Sequence, residues 1–264
     1  MPRKWRLSGP VVGLALLIPL CARGLFDFNV TALGDSPLDD IFLESIFIPG
    51  PDITVEDFSF VTAATIVEND PIFGANTGAA SADIGDNATT GVVREDATAA
   101  DIVTNLSNNN LNNIIDTEDD GNFVIDLFFD GTFDNLLVFE RGINSQLGVQ
   151  ALDDQGNPFG NSLTLGTPST RWFNTGLSID TQEISGAQPL GAIGVSVARD
   201  LGIAAGEITG VRFTSTAAFN GPDWKFVGTS SDLGLPEIPE PSASPLVWTL
   251  GLLALLHRRF GGWG

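Results

Sequence analysis

Residues 123–130 constrain the fold of this chain more than any other stretch. The odd-numbered positions are all apolar, whereas the even-numbered positions include two acidic residues. The odd set is Phe123, Ile125, Leu127 and Phe129, and the even set is Val124, Asp126, Phe128 and Asp130. Successive side chains of a β-strand point to opposite faces, so this order gives one continuous apolar face. The segment therefore predicts a strand that packs one face against a core.

The C-terminal half of the chain contains further segments of this type at short intervals. They are separated by sequences rich in Gly, Asn, Asp and Pro, such as 153–158 and 220–222, which favour turns. Strands are predicted at 135–140, 146–152, 162–165, 171–173, 192–198, 208–215 and 224–227. Many short strands joined by such turns predict an all-β fold, a jelly-roll-like antiparallel β-sandwich.

The N-terminal part of the predicted domain is less regular. Strands are predicted at 26–30, 38–48 and 52–61, and a long exposed loop at 69–90, where Ala, Gly, Thr, Asn and Asp dominate. Residues 98–106 predict one short helix, because the apolar residues there are spaced for one helical face, and residues 111–115 could form one more turn. We expect a sandwich domain over residues 25–232, with a loop and helix insertion near 69–121.

The N-terminus has the parts of an export signal. Basic residues within 1–6 precede an apolar run at 11–20, and residues 22–24 offer small side chains at the two positions that a signal peptidase reads. Residues 1–24 are therefore predicted to be a signal peptide. Cys21 belongs to this removable segment.

The last 26 residues hold three ordered elements. These are the motif Pro239, Glu240 and Pro241, an apolar run at 246–256, and the basic pair Arg258 and Arg259. The run has 11 residues, whereas a helix needs about 20 to cross a bilayer, so it is a poor permanent anchor. We expect a linker at 233–244 that contains the motif, followed by a hydrophobic helical segment at 245–264 that acts as a processed signal.

This order of elements resembles the PEP-CTERM sorting signal of exopolysaccharide-producing Gram-negative bacteria, which the membrane enzyme exosortase recognises. The chain departs from the family pattern by Trp248 in the apolar run and by a short Gly-rich extension after the arginines. The resemblance implies export through signal peptidase, processing by exosortase, transient membrane association, and a final place at the cell surface or in the extracellular matrix. Residues 130–153, with 200–202 and 221–225, also resemble exosortase-dependent surface proteins.

Between the two predicted signals the chain is strongly acidic and lacks three reactive residue types. Residues 25–236 contain 31 Asp and Glu against 6 Lys and Arg, a net charge of −25, and no Cys, His or Tyr. A surface of this charge repels nucleic acid. The missing residues exclude Ser-His-Asp and Cys-His catalytic arrangements, histidine-ligated metals and disulfides.

An acidic segment ahead of the strand at 123–130 could bind calcium. Asp116, Glu118 and Asp120 alternate ahead of a glycine, an order in which a loop can fold oxygen ligands around the ion. Leu127 stands where a helix-loop-helix site needs a bidentate Glu, so that type of site is excluded. A looser site would take a further carboxylate from Asp83, Asp86 or Asp153. The alternative is an acidic turn that enters a strand.

Two tryptophans outside the signals are candidates for contact with a glycan. Sugar-binding sandwich domains combine an aromatic platform with nearby polar side chains, and Trp172 and Trp224, the latter beside Asp223, fit that requirement. Both lie in predicted strands, so a place in the core is the alternative.

Glu140 and Arg141 are adjacent in a predicted strand. Their side chains therefore face opposite sides and cannot pair with each other. We expect Arg141 to form a salt bridge at a sheet edge with Asp134 or Asp153.

These observations favour an exported, non-enzymatic cell-surface or extracellular-matrix protein that is associated with exopolysaccharide. Its expected partners are signal peptidase and exosortase during export, and no cofactor is expected unless calcium binds. A calcium-assisted, lectin-like carbohydrate-binding module is the alternative. A glycoside hydrolase is the third hypothesis, and it would need two carboxyl groups held about 5 to 9.5 Å apart across a cleft.

Overall fold

Antiparallel β-sheet makes up most of the structure. The computed structural model describes residues 25–69, 79–80, 97–119, 121–180 and 186–235, which all belong to one compact unit, Arg23–Glu237. The strands are β1 (Asn29–Leu33), β2 (Phe42–Ile48), β3 (Ile53–Val55), β4 (Val61–Glu68), β5 (Ala79–Ala80), β6 (Ile115–Thr117), β7 (Phe123–Phe129), β8 (Asn135–Arg141), β9 (Leu147–Leu152), β10 (Pro158–Leu165), β11 (Phe173–Ile179), β12 (Gln188–Ser196), β13 (Gly210–Ser215) and β14 (Asp223–Thr229).

Two of the sheets share a common apolar core. A five-stranded sheet has the order β10-β9-β13-β7-β4, and a six-stranded sheet has the order β11-β12-β8-β14-β6-β5. Their facing side chains, among them Leu127, Val138, Val195 and Phe213, belong to one buried cluster. Two sheets packed face to face in this way form a β-sandwich, so the predicted antiparallel β-sandwich is confirmed.

The alternation at 123–130 forms a strand, β7, with one face packed against the core, as predicted. Phe123, Ile125 and Leu127 are fully buried and face the sandwich core. Asp126 points to the other face of the sheet, where it meets its cross-strand partner Arg212. Arg212 Nε and Nη2 donate to the two carboxylate oxygens of Asp126 over 2.6 and 2.8 Å.

A third sheet, β1-β2-β3, covers the outer face of the six-stranded sheet. Ile46 and Ile48 from β2 join Leu137 and Phe139 from β8 in a second buried cluster. The six-stranded sheet is therefore covered by apolar residues on both faces in its centre. This explains why all seven residues of β8 are buried and why residues 136–139 in its centre are a continuous apolar run.

The short helix predicted at 98–106 is confirmed. Helix α1 spans Ala99–Leu106 and buries Ile102 and Leu106. Thr98 begins it with a capping box, in which its hydroxyl accepts from the Asp101 N–H while the Asp101 carboxylate accepts from the Thr98 N–H.

Several predicted boundaries were wrong. The strand predicted at 52–61 overlaps only β3 and the first residue of β4, and Ile115 begins strand β6 instead of continuing a helical turn. Strand β12 ends at Ser196, where a π-helical turn, Val197–Leu201, replaces the predicted strand end. Val197, which the pattern placed on the apolar side of the strand, is also buried in this turn, so the apolar pattern did not distinguish a strand from the turn. The loop predicted at 69–90 lies almost entirely outside the described residues.

Candidate functional site

Both predicted glycan-contact tryptophans lie in the core. Trp224 is fully buried, and its ring stacks on Phe213 with centroids 4.1 Å apart. Trp172 is 6% exposed, and its indole Nε1 donates to the carbonyl of Ser145 over 2.8 Å. Neither ring presents an open face, so the alternative that placed both tryptophans in the core describes this structure.

Asp223, the third predicted glycan contact, forms an internal ion pair with Arg141. Arg141 Nη1 lies 2.7 Å from Asp223 Oδ2, and Arg141 Nε also donates to the carbonyl of Ile179. The two residues are cross-strand partners on β8 and β14, with Arg141 fully buried. The prediction that Arg141 would pair with Asp134 or Asp153 was wrong. The register of β8 with β14 places Asp223 opposite Arg141, and the sequence does not show this register.

Glu140 points away from Arg141, as the strand alternation requires, and is enclosed by the sandwich. Its Oε2 accepts from the N–H of Ile143 over 2.7 Å. Burial raises the pKa of this carboxyl well above its usual value, the nearby Asp223 carboxylate raises it further, and hydrogen bonds from Ile143 and Ser145 oppose the shift. The site favours the neutral acid, a state suited to a fixed structural hydrogen bond within the core.

Lys225 is a fully buried cation on the outer face of the six-stranded sheet. Its ammonium donates to the carbonyls of Asn105, at the end of α1, and Asn113, in the loop before β6, over 2.9 and 3.3 Å. Burial lowers the pKa of Lys225 to about 7. The lysine thereby attaches the helix and the asparagine-rich loop to the sheet.

The predicted calcium ligands are only partly described. Asp116 and Glu118 are each 8% exposed, and Asp116 is the cross-strand partner of Asp223. Asp120, Asp83 and Asp86 lie outside the described residues. Asp153 is engaged in its own turn, where its carboxylate accepts from the N–H groups of Gln155 and Asn157. Within the described ranges, no group of three or more acidic side chains is placed to hold a metal ion.

The sorting motif also lies beyond the described residues. Pro239, Glu240, Pro241, Arg258 and Arg259 all follow Leu235, the last residue described. In the part of the chain that the structure covers, no helix has the length and apolarity needed to cross a bilayer. The signal peptide and the sorting segment therefore remain predictions.

A cavity of about 420 Å³ opens where the π-helical turn meets the end of the domain. Its polar lining includes Asp134, Asn135, Ser196, Arg199 and Asp232, and Leu233 and Leu235 belong to its apolar wall. The cavity combines one guanidinium with two carboxylates, so it offers both hydrogen-bond donors and acceptors to a small polar molecule.

Arg199 was not among the residues predicted from the sequence. The scarcity of cations is a signal that could have drawn attention to Arg199, since residues 25–236 contain only 6 cations against 31 acids. An arginine in such a chain is expected to pair with a carboxylate. Among the described residues, Arg199 makes no salt bridge, and its Nε is buried without a hydrogen-bond partner. That state depends on the path of the π-helical turn, which the sequence pattern does not specify.

A second cavity, of about 500 Å³, lies beside β2. Glu44, Glu56 and Asp57 line it together with the rings of Phe58 and Phe60. Its charged groups are all carboxylates, so it has no cationic donor such as the guanidinium in the Arg199 cavity.

Comparison with known proteins adds no relative. A scan against protein-family models gives no match, and a search of curated proteins finds no similar chain. The function has to be inferred from the chain's own residues.

Proposed function

We propose that this chain is an exported, non-enzymatic protein of the bacterial cell surface or extracellular matrix, processed through a PEP-CTERM signal and associated with exopolysaccharide. The observation that carries this proposal is the order of motif, apolar run and arginine pair at residues 239–259. Signal peptidase and exosortase are its proposed partners during export, and the mature domain faces the exterior of a Gram-negative cell.

The described domain fits a display role. Several of its most distinctive charged and aromatic side chains, namely Glu140, Arg141, Trp224 and Lys225, are buried and make internal contacts. The net charge of −25 on residues 25–236 favours solubility among hydrated polymers. As part of this proposal the sandwich is of the jelly-roll type, since the consecutive strands β7, β8 and β9 alternate between the two sheets.

Mass spectrometry of the mature C-terminus tests the proposal. The full chain is expressed in an exosortase-containing Gram-negative host and in the same host without exosortase. We expect the exported protein to lose the segment that contains Arg258 and Arg259 only when exosortase is present, because a removable signal needs its enzyme. A variant with Pro239→Ala, Glu240→Ala and Pro241→Ala should keep the segment, whereas Pro236→Ala, outside the motif, should be processed normally. Exported protein that retains both arginines in the exosortase host would refute the proposal.

Carbohydrate binding is a second candidate function, and the cavity beside Arg199 favours it. A glycan array probed with and without calcium separates the candidates. A passive coat component gives no signal on the array, a calcium-assisted lectin binds only when calcium is present, and a calcium-independent signal points to a site made by the protein's own side chains.

A further inference from the structure

We propose that the cavity beside Arg199 binds one neutral hexose unit of a glycan without a metal ion. This inference rests on the proposed association with exopolysaccharide and names the part of the protein that makes the contact. The cavity volume of about 420 Å³ lies within the range of small-molecule sites, about 300 to 1,000 Å³.

The first argument is the state of Arg199. The described part of the chain pairs Arg141 with Asp223 and Arg212 with Asp126, while Arg199 makes no salt bridge although Asp134 and Asp232 line the same cavity. Its Nε is buried and has no hydrogen-bond partner there. The two terminal nitrogens of this guanidinium make no internal hydrogen bond within the described residues, so they can donate to a ligand oxygen in the cavity.

The second argument is the supply of acceptors. Asp134 Oδ1 accepts from the N–H of Gly206 over 2.7 Å, and Asp232 Oδ1 accepts from the N–H of Gly234 over 2.9 Å. These bonds orient both carboxylates and leave the second oxygen of each without a hydrogen bond in the described structure. Sugar hydroxyls donate well to carboxylates and accept from guanidinium groups, so neighbouring hydroxyls can bond to both kinds of side chain at once.

The third argument is the apolar wall. Leu233 and Leu235, together with Ala198 and Ala205, line the cavity beside the charged groups. A pyranose ring has C–H groups on its faces and hydroxyls around its rim. The leucine and alanine side chains can pack against the C–H groups. The arrangement does not depend on an aromatic platform.

The balance of charge disfavours an acidic ligand. Two carboxylates stand against one guanidinium in the cavity, so a uronic acid would add a third negative charge and be repelled. A neutral hexose avoids this penalty, and its hydroxyls can bond to both the guanidinium and the carboxylates.

The site is held in place by backbone contacts of the turn. Ser196 N–H donates to Asp200 Oδ2 over 2.7 Å, and Val197 N–H donates to the carbonyl of Asp134 over 2.9 Å. Gly202 ends the turn with a φ of 71°, a left-handed conformation that favours glycine. A pre-organised site loses less entropy on binding.

Proton–nitrogen NMR of the arginine Nε–Hε groups tests the proposal directly. The protein purified from the exporting host is titrated, without calcium, with the methyl glycosides of glucose, galactose and mannose and with methyl glucuronide. We expect a saturable shift of the Arg199 Nε–Hε signal with at least one neutral glycoside, and binding of the glucuronide at least tenfold weaker. A response to the glucuronide alone, or no response to any neutral glycoside, would overturn the proposal.

Variants locate the site and separate this proposal from the previous one. Arg199→Gln and Asp232→Asn should each weaken binding at least tenfold, followed through the backbone amides of Ala198 and Ala205, while Arg171→Gln, at an exposed arginine outside the cavity, should bind normally. Unchanged binding in both cavity variants would place the sugar elsewhere and refute the assignment. Thermal melting confirms that each variant is folded. Normal C-terminal processing without sugar binding would refute only the cavity assignment and leave the sorting signal intact.

Discussion

At Glu140 and Arg141, the alternation of one strand sends two neighbouring ionisable side chains to opposite faces of the same sheet. Glu140 enters the sandwich, where burial raises the pKa of its carboxyl. Arg141 enters the layer under the third sheet, where it pairs with Asp223. Each is stabilised by specific partners, because a charge or carboxyl without partners is costly in a low-dielectric interior.

Replacement of Arg141 by methionine should be strongly destabilising. Arg141→Met leaves the Asp223 carboxylate buried without its guanidinium, and removal of one member of a buried pair costs about 3 to 5 kcal/mol. Arg212→Met is the matched control, since Arg212 also pairs with a cross-strand aspartate but its side chain is 22% exposed. Because solvent reaches the Arg212 side of this pair, we expect a smaller loss than for Arg141→Met. Urea unfolding of both variants measures the difference, and equal losses would contradict this account.

Lys225 should make stability rise with pH above neutrality. Its pKa is about 7 in the folded protein and 10.5 ordinarily, so between these values the unfolded chain binds the extra proton and the free energy of unfolding increases with pH. The difference between these two pKa values corresponds to about 5 kcal/mol, which is an upper limit for the rise. Hydrogen bonds to two carbonyls favour the charged amine and therefore oppose the pKa shift.

Lys225→Met provides the control for this pH dependence. No other side chain between 25 and 236 has an ordinary pKa in this window, since Lys225 is the only lysine there and Cys, His and Tyr are absent. Denaturant unfolding at pH 7, 8, 9 and 10 should show the increase in the parent chain and a flat profile in the variant. The same rise in both proteins would assign it to another group.

At the scale of elements, the N-terminal segment makes a close contact with the sandwich at Phe26. Phe26 exchanges two backbone hydrogen bonds with Gly194 of β12, of 3.0 and 2.9 Å. A Cβ added to Gly194 would lie 2.3 Å from the nearest atom of the Phe26 ring. The absence of a side chain at Gly194 therefore allows the ring to lie against the strand.

Gly194→Ala should lower the melting temperature. The new methyl group would displace the Phe26 ring, and overpacking of this kind costs about 1 to 3 kcal/mol. Gly50→Ala is the control, because no atom lies within 4 Å of a Cβ placed there, so we expect little change or a slight gain. Calorimetry of both variants measures the effect, and a Gly194→Ala protein as stable as the parent would show that the segment moves aside at no cost.

At the scale of the whole molecule, the excess of acidic residues opposes the folded state. The charge of −25 on residues 25–236 is concentrated in a compact domain, and self-repulsion of like charges destabilises compact states. Salt screens this repulsion over about 10 Å at 0.1 M and 3 Å at 1 M.

Stability should therefore increase with ionic strength. We expect the melting temperature to rise as sodium chloride increases from 0.01 to 0.5 M, and magnesium chloride at equal ionic strength to give a similar rise. A much larger effect of calcium than of magnesium would instead indicate a specific site, and it would return attention to Asp116 and Glu118. A melting temperature independent of salt would contradict the repulsion argument.

The sequence by itself determined the class of fold, the main strands and the helix. Alternation at 123–130 specified a strand because it depends only on the geometry of the backbone, and the spacing of Ile102 and Leu106 specified α1 for the same reason. The tertiary structure alone decided the third sheet over β8, the pairing of Arg141 with Asp223, and the exposure of Arg199 to a cavity. These features depend on which distant strands become neighbours and in what register, and local periodicity contains no information about either.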